Sequence, residues 1–208
     1  MEFRVVPSSP EDGFELLVEQ LRLMHQLVGG HEGEVLVINC HMMGHCIPEE
    51  TAANSQRGTF LKAVRSLEPS LVVLVDEEAD FTGCTVVDRL RAVFNYLWIP
   101  FDTIDTFLPA GSEQRKKYEA AVCWKIENVI AMEGVQRVER LEPRNRWGQR
   151  MRTAGFQGIG FGDDTSAEVK TMLDEHSAGW GLKKDENDLV LTWKGHDVVF
   201  ATAWVPSS

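Results

Sequence analysis

The sequence predicts an α/β fold whose sheet is mostly parallel and ends in an antiparallel hairpin. Two continuous apolar runs, residues 35–38 and 71–75, are typical of strands that are buried on both faces. Between and after these runs, apolar side chains recur at the helical period of 3.6 residues. Because strands alternate with helices, the chain is expected to form parallel strand–helix–strand units.

A short strand over residues 3–6 and a long amphipathic helix are predicted first. Ser9 suits the N-cap, Pro10 suits the first helical position, and Gly29 and Gly30 suit the end of the helix. The helical period predicts that one apolar face turns towards the core. The residues of that face are Phe14, Leu17, Val18, Leu21, Met24, Leu27 and Val28.

Three helices are predicted in the middle of the chain. The first covers about residues 56–66 and precedes the strand over residues 71–75, and the other two follow that strand. The predicted core-facing residues of the second helix are Val86, Leu90, Val93, Phe94 and Leu97. The third helix starts near Ser112, and its predicted inner residues are Tyr118, Val122, Ile126, Val129 and Ile130.

The last third of the chain predicts shorter elements. A helix face carries Trp147, Met151 and Ala154, residues 156–161 form a strand, and Thr165 caps a further helix in a Thr-x-x-Glu box. Two closing strands, residues 189–193 and 198–203, flank the turn residues 194–197. A parallel sheet that ends in such a hairpin is the layout of a Rossmann-like, class I methyltransferase-like fold, and this analogy carries no activity with it.

The composition indicates a globular protein with an acidic surface. Of 208 residues, 43% are hydrophobic and 25% are charged, and the net charge is −11. This charge disfavours a protein that holds nucleic acid mainly by neutralising phosphates, and a solvated acidic surface that aids solubility is the commoner explanation of it. No apolar run approaches the roughly 20 residues that span a bilayer, so a soluble intracellular protein with reduced cysteines is expected.

No nucleotide-binding loop follows the first predicted buried strand. Residues 155–162 are rich in glycine, but they do not match G-x-G-x-x-G and they follow a helix, so bends and tight packing explain them better. No cofactor is therefore expected. The densest set of metal-ligand side chains is Cys40, His41, His45 and Cys46, which forms either a metal site or a packed loop at a strand end.

An acidic run follows the second predicted strand, at the sheet edge where α/β proteins bind ligands. It contains Asp76, Glu77, Glu78 and Asp80. Three hypotheses remain open for it. The run forms a solvated loop, a site for acid–base chemistry or a metal, or a contact surface for a basic partner.

Arginine is concentrated between residues 137 and 152, and this segment is the one place where the sequence predicts a basic contact surface. Glu139 and Glu142 are interleaved with the arginines, which favours ion pairs within the chain. The candidate surface residues are Arg144, Arg146, Arg150 and Arg152. A phosphate group or an acidic partner would suit such a surface.

The same segment begins a set of motifs with fixed spacing. Arg137, Val138, Glu139 and Arg140 spell R-V-E-R. Trp147 and Gly155 then follow a W-x7-G pattern, and Trp193 and Trp204 follow a W-x10-W pattern in which Ala203 precedes the last tryptophan. In this order and spacing, the motifs resemble the SAW region that ends GRAS domains, so the chain is identified as a member of the GRAS family.

The resemblance extends upstream and implies a division of one domain. Residues 127–134 resemble the PFYRE region and residues 37–40 resemble the V-N-C strand, with residues 39–43 and 98–102 most similar to the scarecrow-like 32 branch. The chain 1–208 would then be the C-terminal part of a single GRAS domain. Residues 1–100 would form the second leucine-rich region and the region that follows it, residues 101–134 the PFYRE-like region, and residues 135–208 the SAW region. The VHIID motif is absent, which implies that the first β-α unit and the helical cap are missing.

This resemblance implies a plant nuclear transcriptional regulator. Such a protein would contact DNA-binding transcription factors, of the zinc-finger type or other GRAS proteins, and DNA itself only weakly. It would have no catalytic residues, no cofactor, no metal and no membrane contact. The alternative, suggested by the predicted sheet, is an S-adenosylmethionine-dependent methyltransferase-like enzyme.

Overall fold

The computed structural model describes residues 6–9, 14–28, 35–48, 55–176 and 179–207. Helices and strands alternate along most of this part of the chain. The helices are α1 (Glu15–Val28), α2 (Gln56–Arg65), α3 (Val86–Tyr96), α4 (Trp98–Phe107), α5 (Glu113–Ala131), α6 (Arg144–Thr153) and α7 (Asp163–Asp174). The strands are β1 (Val37–His41), β2 (Leu71–Glu77), β3 (Phe156–Ile159), β4 (Trp180–Asp185), β5 (Asp188–Trp193) and β6 (His196–Pro206).

Strand β6 organises a single mixed sheet. On one side β6 pairs with β2, and on the other side its first half pairs with β5 and its second half with β3. Strand β1 lies outside β2, and β4 lies outside β5, which gives the order β1-β2-β6-β5-β4. The α/β class predicted from the sequence is therefore confirmed.

The predicted direction of the strands fits only in part. Strands β1 and β2 are parallel, but the other four pairs among the described residues are antiparallel. The reason is that α3, α4 and α5 follow β2 without leading into another parallel strand. The chain instead returns through the β4–β5–β6 meander, and β6 takes the place beside β2. Strand β4 was not predicted.

Side-chain caps explain where several helices begin. The hydroxyl groups of Ser55, Thr85 and Ser112 accept hydrogen bonds from backbone N–H groups in the first turns of α2, α3 and α5. The predicted cap Thr165 is wrong, because α7 begins at Asp163 and Thr165 lies inside its first turn. The predicted strand over residues 3–6, with Pro10, Gly29 and Gly30, falls largely outside the described residues.

Two hydrophobic clusters cover the two faces of the sheet. Successive strand side chains alternate between faces, so Val190 and Trp193 of β5 belong to different clusters. The first cluster lies under α2 and α6, and the second lies under α3, α4 and α5. Trp204 of β6 belongs to the first and Trp193 to the second. The closing strands therefore hold both layers together.

Helix α3 turns a different face inward from the one that the sequence predicts. Val93 and Leu97 are buried as expected, but Val86, Leu90 and Phe94 are exposed, and Phe94 is 75% exposed. The buried guanidinium of Arg89 takes an inward position on the helix instead, where it pairs with Glu133. An apolar stripe on α3 is thus left in solvent.

The turn from α6 into β3 requires a residue with positive φ. Gly155 has φ of 89°, a conformation that L-residues with a side chain rarely adopt. Its carbonyl oxygen accepts a hydrogen bond from Nε of Arg65 at 2.8 Å, and the same guanidinium donates to Ser207 at 3.0 Å. Gly155 therefore fixes the approach of α6, α2 and the C-terminal end of β6.

The two tryptophans of the closing strands are expected to be major contributors to stability. Trp193 is 0% exposed and Trp204 is 4% exposed, whereas Trp124 on α5 is 52% exposed. Trp193→Ala and Trp204→Ala should each lower the free energy of unfolding by about 3–5 kcal/mol, because each leaves a cavity in one cluster. Denaturant unfolding measures this, and Trp124→Ala is the matched control, expected within about 1 kcal/mol of the parent. An unchanged midpoint for both strand variants would contradict the packing.

Candidate functional site

A network of buried charges lies at the carboxyl ends of β1 and β2. Asp76, on β2, is fully buried, and His45 lies in the short 3-10 turn Gly44–Cys46 that follows β1. Nδ1 of His45 lies 2.8 Å from Oδ1 of Asp76, and the backbone N–H of His45 donates to Oδ2 at 3.3 Å. This double contact fixes the turn onto the end of the neighbouring strand.

The network continues from His45 to the other face of the sheet. Nε2 of His45 lies 3.6 Å from a carboxylate oxygen of Glu139, and the same oxygen lies 3.4 Å from Nζ of Lys125 on α5. Lys125 also pairs with Glu77, the last residue of β2. We call His45, Asp76, Glu77, Lys125 and Glu139 the strand-end network. It joins β2, α5 and the segment after α5.

The carboxylates keep both bases of the network protonated at neutral pH. Burial alone would lower the pKa of His45, but the hydrogen bond to Asp76 and the charges around the ring raise it to about 10. Burial likewise opposes the charge of Lys125, yet Glu77 and Glu139 raise its pKa above the ordinary value. A protonated His45 has no lone pair for a metal or for general base catalysis.

Arg57 ties the same region together from α2. Its fully buried guanidinium donates from Nε to the carbonyl of Ile47 at 2.9 Å and from Nη2 to that of His45 at 2.6 Å. Nη2 also donates to the carbonyl of Arg140 at 2.9 Å, while Nη1 pairs with Glu142 at 3.1 Å. These contacts hold the turn after β1 against the segment before α6.

The cysteine and histidine cluster near β1 does not assemble a group of metal ligands. No set of three or more His, Cys, Asp or Glu side chains in the described part of the chain is arranged to hold an ion. Burial raises the pKa of the Cys40 thiol to about 11, so it is not a thiolate at neutral pH. His41 is exposed, and His45 is committed to Asp76.

The acidic run after β2 is used largely inside the protein. The carboxylate of Glu78 accepts a hydrogen bond from the N–H of Arg144 at 3.1 Å, and burial raises its pKa above the ordinary value. Asp80 is exposed and pairs with Arg146 at 3.2 Å. The hypothesis of a fully solvated loop is therefore wrong for Asp76, which lies in the interior.

Most residues of the predicted tail motifs are in the interior. Arg137, Glu139, Trp147, Trp193, Ala203 and Trp204 are buried, and Val138 and Arg140 are half-buried. Trp147 lies beside Arg57, whose guanidinium carbon is 5.5 Å from the ring centroid, which is cation–π geometry. Gly44 faces the same indole, since a Cβ there would lie 3.0 Å from ring atoms. The structure thus brings 137–140 and Trp147 to the strand-end network.

The four arginines of the predicted basic surface are mostly paired with carboxylates of the chain. Arg150 makes a two-pronged contact to Glu142 at 2.7 and 2.8 Å, and Arg144 pairs with Asp185 at 2.8 Å. Arg146 reaches Asp80, as described above. Arg152 is exposed and lines a cleft of about 370 Å³ between α6 and the β4–β5 turn. Little uncompensated positive charge is left along α6.

Sequence reasoning missed three residues that the network requires. Arg57, Lys125 and Asn128 all lie on helices whose other inward positions are apolar. Oδ1 of Asn128 accepts a hydrogen bond from the backbone N–H of Glu139 at 2.9 Å, and its Nδ2 donates one to the carbonyl of Gln136 at 2.9 Å. The available signal was the interruption of the apolar face of α5 by Lys125 and Asn128, three residues apart.

Comparison with known proteins places this architecture in a family. The model of the GRAS domain family matches residues 1–205. This chain belongs to the GRAS family. It is 54% identical to Scarecrow-like protein 32 of Arabidopsis thaliana over 211 residues, which cover 99% of this chain and 50% of that protein. It is 51% identical over 146 residues to the Putative scarecrow-like protein 16 of the same plant, covering 70% of each chain.

A solved GRAS structure has the same fold. The crystal structure of SCL7 from Oryza sativa superposes with a TM-score of 0.77 at 18% identity, over 86% of this chain and 50% of that one. The GRAS chain described here therefore spans about half the length of Scarecrow-like protein 32 and of the SCL7 chain. In its described part, no helix is long and apolar enough to cross a membrane.

The strand-end network makes the stability of this GRAS chain dependent on pH. The pKa of His45 is about 10 in the folded chain against 6.5 for an unperturbed histidine, so its contribution is complete below pH 6.5 and falls as the pH rises towards 10. Between pH 6.5 and 8.5 the parent should lose roughly 2 kcal/mol of unfolding free energy.

Replacement of His45 should remove this dependence. His45→Gln should lower the unfolding free energy by about 3–5 kcal/mol at pH 6.5, because Asp76 is then left buried without its cation. Its stability should be nearly flat from pH 6.5 to 8.5. Denaturant titrations at a series of pH values test this, with the exposed His196→Gln as control. Equal slopes in the parent and His45→Gln would show that another group titrates.

Proposed function

We propose that this chain is part of a plant nuclear transcriptional regulator that acts through protein–protein contacts with DNA-binding transcription factors. The names of related proteins support the proposal. At 31% and 30% identity, relatives include the Scarecrow-like transcription factor PAT1 and the DELLA protein RGL3, both of Arabidopsis thaliana. On this proposal the partners are zinc-finger factors or other GRAS proteins, and direct contact with DNA is weak.

Exposed apolar side chains on the layer of α3 and α5 carry the proposal. Val87 and Phe94 on α3 are exposed, as are Tyr118 and Trp124 on α5, and these two helices pack against each other. Large exposed aromatic side chains are costly in water, and they are enriched where proteins bind one another. Phe94 and Trp124 are the side chains best suited to anchor a partner.

The tail motifs support the proposal in a different way. We propose that residues 135–208 form the SAW region of this domain and that its Arg137, Glu139, Trp147, Trp193 and Trp204 act as a scaffold. Residues 1–100 and 101–134 would be the preceding leucine-rich and PFYRE-like regions. The scaffold would be a Rossmann-like, methyltransferase-like sheet that has been adapted to binding.

We propose no catalytic role for the strand-end carboxylates. In methyltransferase-like enzymes, ligands bind at the carboxyl ends of the strands, so side chains at this edge of the sheet would contact the ligand. Here Asp76, Glu77 and Glu139 are engaged by His45 and Lys125, so their charges already have partners. Their arrangement supports a structural role for the network better than acid–base work.

Tethering tests the proposed function. The chain fused to an unrelated DNA-binding domain should change expression of a reporter in plant cells, relative to the DNA-binding domain alone. Phe94→Asp combined with Trp124→Asp should abolish the change in reporter expression. The reason is that loss of an aromatic anchor that a partner buries in the complex costs about 2 kcal/mol or more of binding free energy.

Met172→Asp, at another exposed apolar position on α7, is the control and should behave as the parent does. All three proteins should have unfolding midpoints close to one another, since the substituted side chains are in solvent. A folded parent chain that leaves the reporter unchanged would count against a regulatory role. Full activity of the double variant would move the contact surface elsewhere.

A further inference from the structure

The segment between α5 and α6 brings three arginines together. The Nη1 atoms of Arg89 and Arg137 both donate to the carbonyl of Gly83, at 3.5 and 3.4 Å, and Arg137 also donates to the carbonyl of Phe81 at 3.3 Å. Nε of Arg140 donates to the carbonyl of Arg137 at 2.8 Å. Arg89, Arg137 and Arg140 are called the arginine cluster below. Two of its guanidinium groups are held at a single acceptor.

Within the arginine cluster, Arg137 is the residue whose charge is not paired with a carboxylate among the described residues. Glu133 pairs with Arg89, and that contact lowers the pKa of Glu133. Arg137 is only 7% exposed, and its partners in the described part of the chain are carbonyl oxygens. Burial and the like charges of Arg140 and Arg89 lower its pKa. The Nε atoms of Arg89 and Arg137 are buried without a hydrogen-bond acceptor among the described residues.

A cavity of about 230 Å³ opens at this cluster. Its charged lining residues are Arg137 and Arg140, and its apolar wall includes Pro48, Val135 and Val138. This volume is below that of a typical drug-sized pocket, and it suits one side chain rather than a whole cofactor. Guanidinium groups bind carboxylates and phosphates through parallel N–H groups, while the apolar wall favours methylene groups next to the anion.

We propose that this cavity binds the anionic side chain of a partner's acidic peptide segment, either a glutamate or a phosphoserine. The inference rests on the proposed function, because it assumes a protein partner. The net charge of −11 opposes the long polyanion of a nucleic acid over many ångströms, whereas a single anion next to Arg137 experiences mainly the local cluster. Nucleic acid is therefore the disfavoured occupant.

Nuclear magnetic resonance titration of the whole chain tests the proposal. The probes are a short capped peptide with one glutamate between two leucines, its phosphoserine counterpart and its glutamine counterpart. The two anionic peptides should give saturable shifts of the amide signals of Gly134 and Val135 and of the Arg137 side-chain N–H signals. The glutamine peptide should bind roughly ten- to a hundredfold more weakly, since it lacks the charge.

Two variants locate the site. Arg137→Gln should weaken the binding of the glutamate peptide by roughly ten- to a hundredfold. Val135→Glu changes an exposed side chain and places a carboxylate in the cavity, so it should also abolish binding without disturbing the fold. Arg146→Gln removes an exposed arginine outside the cavity and should leave binding unchanged. Thermal unfolding of each variant identifies any that fail to fold. If Arg137→Gln does not fold, Val135→Glu still tests the site, because its substituted side chain is exposed.

Several outcomes would overturn the proposal. Equal binding of the glutamine peptide would remove the role of charge, and unchanged binding to Val135→Glu would place the site elsewhere. Binding that appears only in a Glu49→Gln, Glu50→Gln double variant would assign the cavity to a carboxylate of the chain itself. Tighter binding of a DNA duplex that is lost in Arg137→Gln would make nucleic acid the occupant. If the reporter effect survives in Val135→Glu, the regulatory function stands without this site. If the peptides bind but the parent chain has no effect on the reporter, the site stands without the regulatory function.

Discussion

The strand-end network is the constraint on which the rest of the structure depends. A buried Asp76 costs several kcal/mol unless a cation and hydrogen bonds accompany it, so the position of His45 is fixed within narrow limits. The second nitrogen of His45 then faces Glu139, and Glu139 requires Lys125 on α5. One buried carboxylate on β2 thereby determines how the turn after β1, the longest helix and the segment at 137–142 are arranged. Breaking any one pair leaves an uncompensated charge in the interior.

In this arrangement, the arginine-rich segment mainly forms ion pairs and hydrogen bonds within the chain. Arg150 holds Glu142, and Glu142 in turn faces Arg57, whose guanidinium crosses to three backbone carbonyls and lies beside Trp147. Arginine suits this task better than lysine because its planar fork reaches several acceptors at once and stays charged when buried. A segment that the sequence predicts to be a basic surface is therefore mostly a set of arginines that pair with carboxylates and carbonyl groups of the chain itself.

Local patterns predicted much of this fold, and long-range pairing accounts for what they missed. The continuous apolar runs located β1 and β2, and the turn at 194–197 located the closing hairpin. The prediction that both runs are buried on both faces is wrong for β1, which lies at the edge of the sheet with Val37 exposed. No local pattern shows that β6 lies beside β2, so the sheet was expected to be parallel. In α3, Val86 and Leu90 fit an apolar face, yet Arg89 is turned inward because Glu133, far along the chain, offers a carboxylate. Asp76 had a local signal, since it shares the strand face of Val72 and Leu74.

The distribution of charge follows from the same use of arginine. The chain has 21 basic and 32 acidic side chains, and several of the arginines are committed to buried or half-buried pairs. Each such pair removes one positive and one negative charge, so the remaining surface keeps the net negative charge of the chain, and beyond a Debye length of about 8 Å this charge is screened at physiological salt. On the proposed function, recognition depends on short-range features, which are apolar side chains such as Phe94 and the positive charge of Arg137. Both features lie on or next to α3, where the inward turn of Arg89 exposes the apolar stripe and brings a second guanidinium to Gly83. The inward position of Arg89 on α3 is therefore linked to both features.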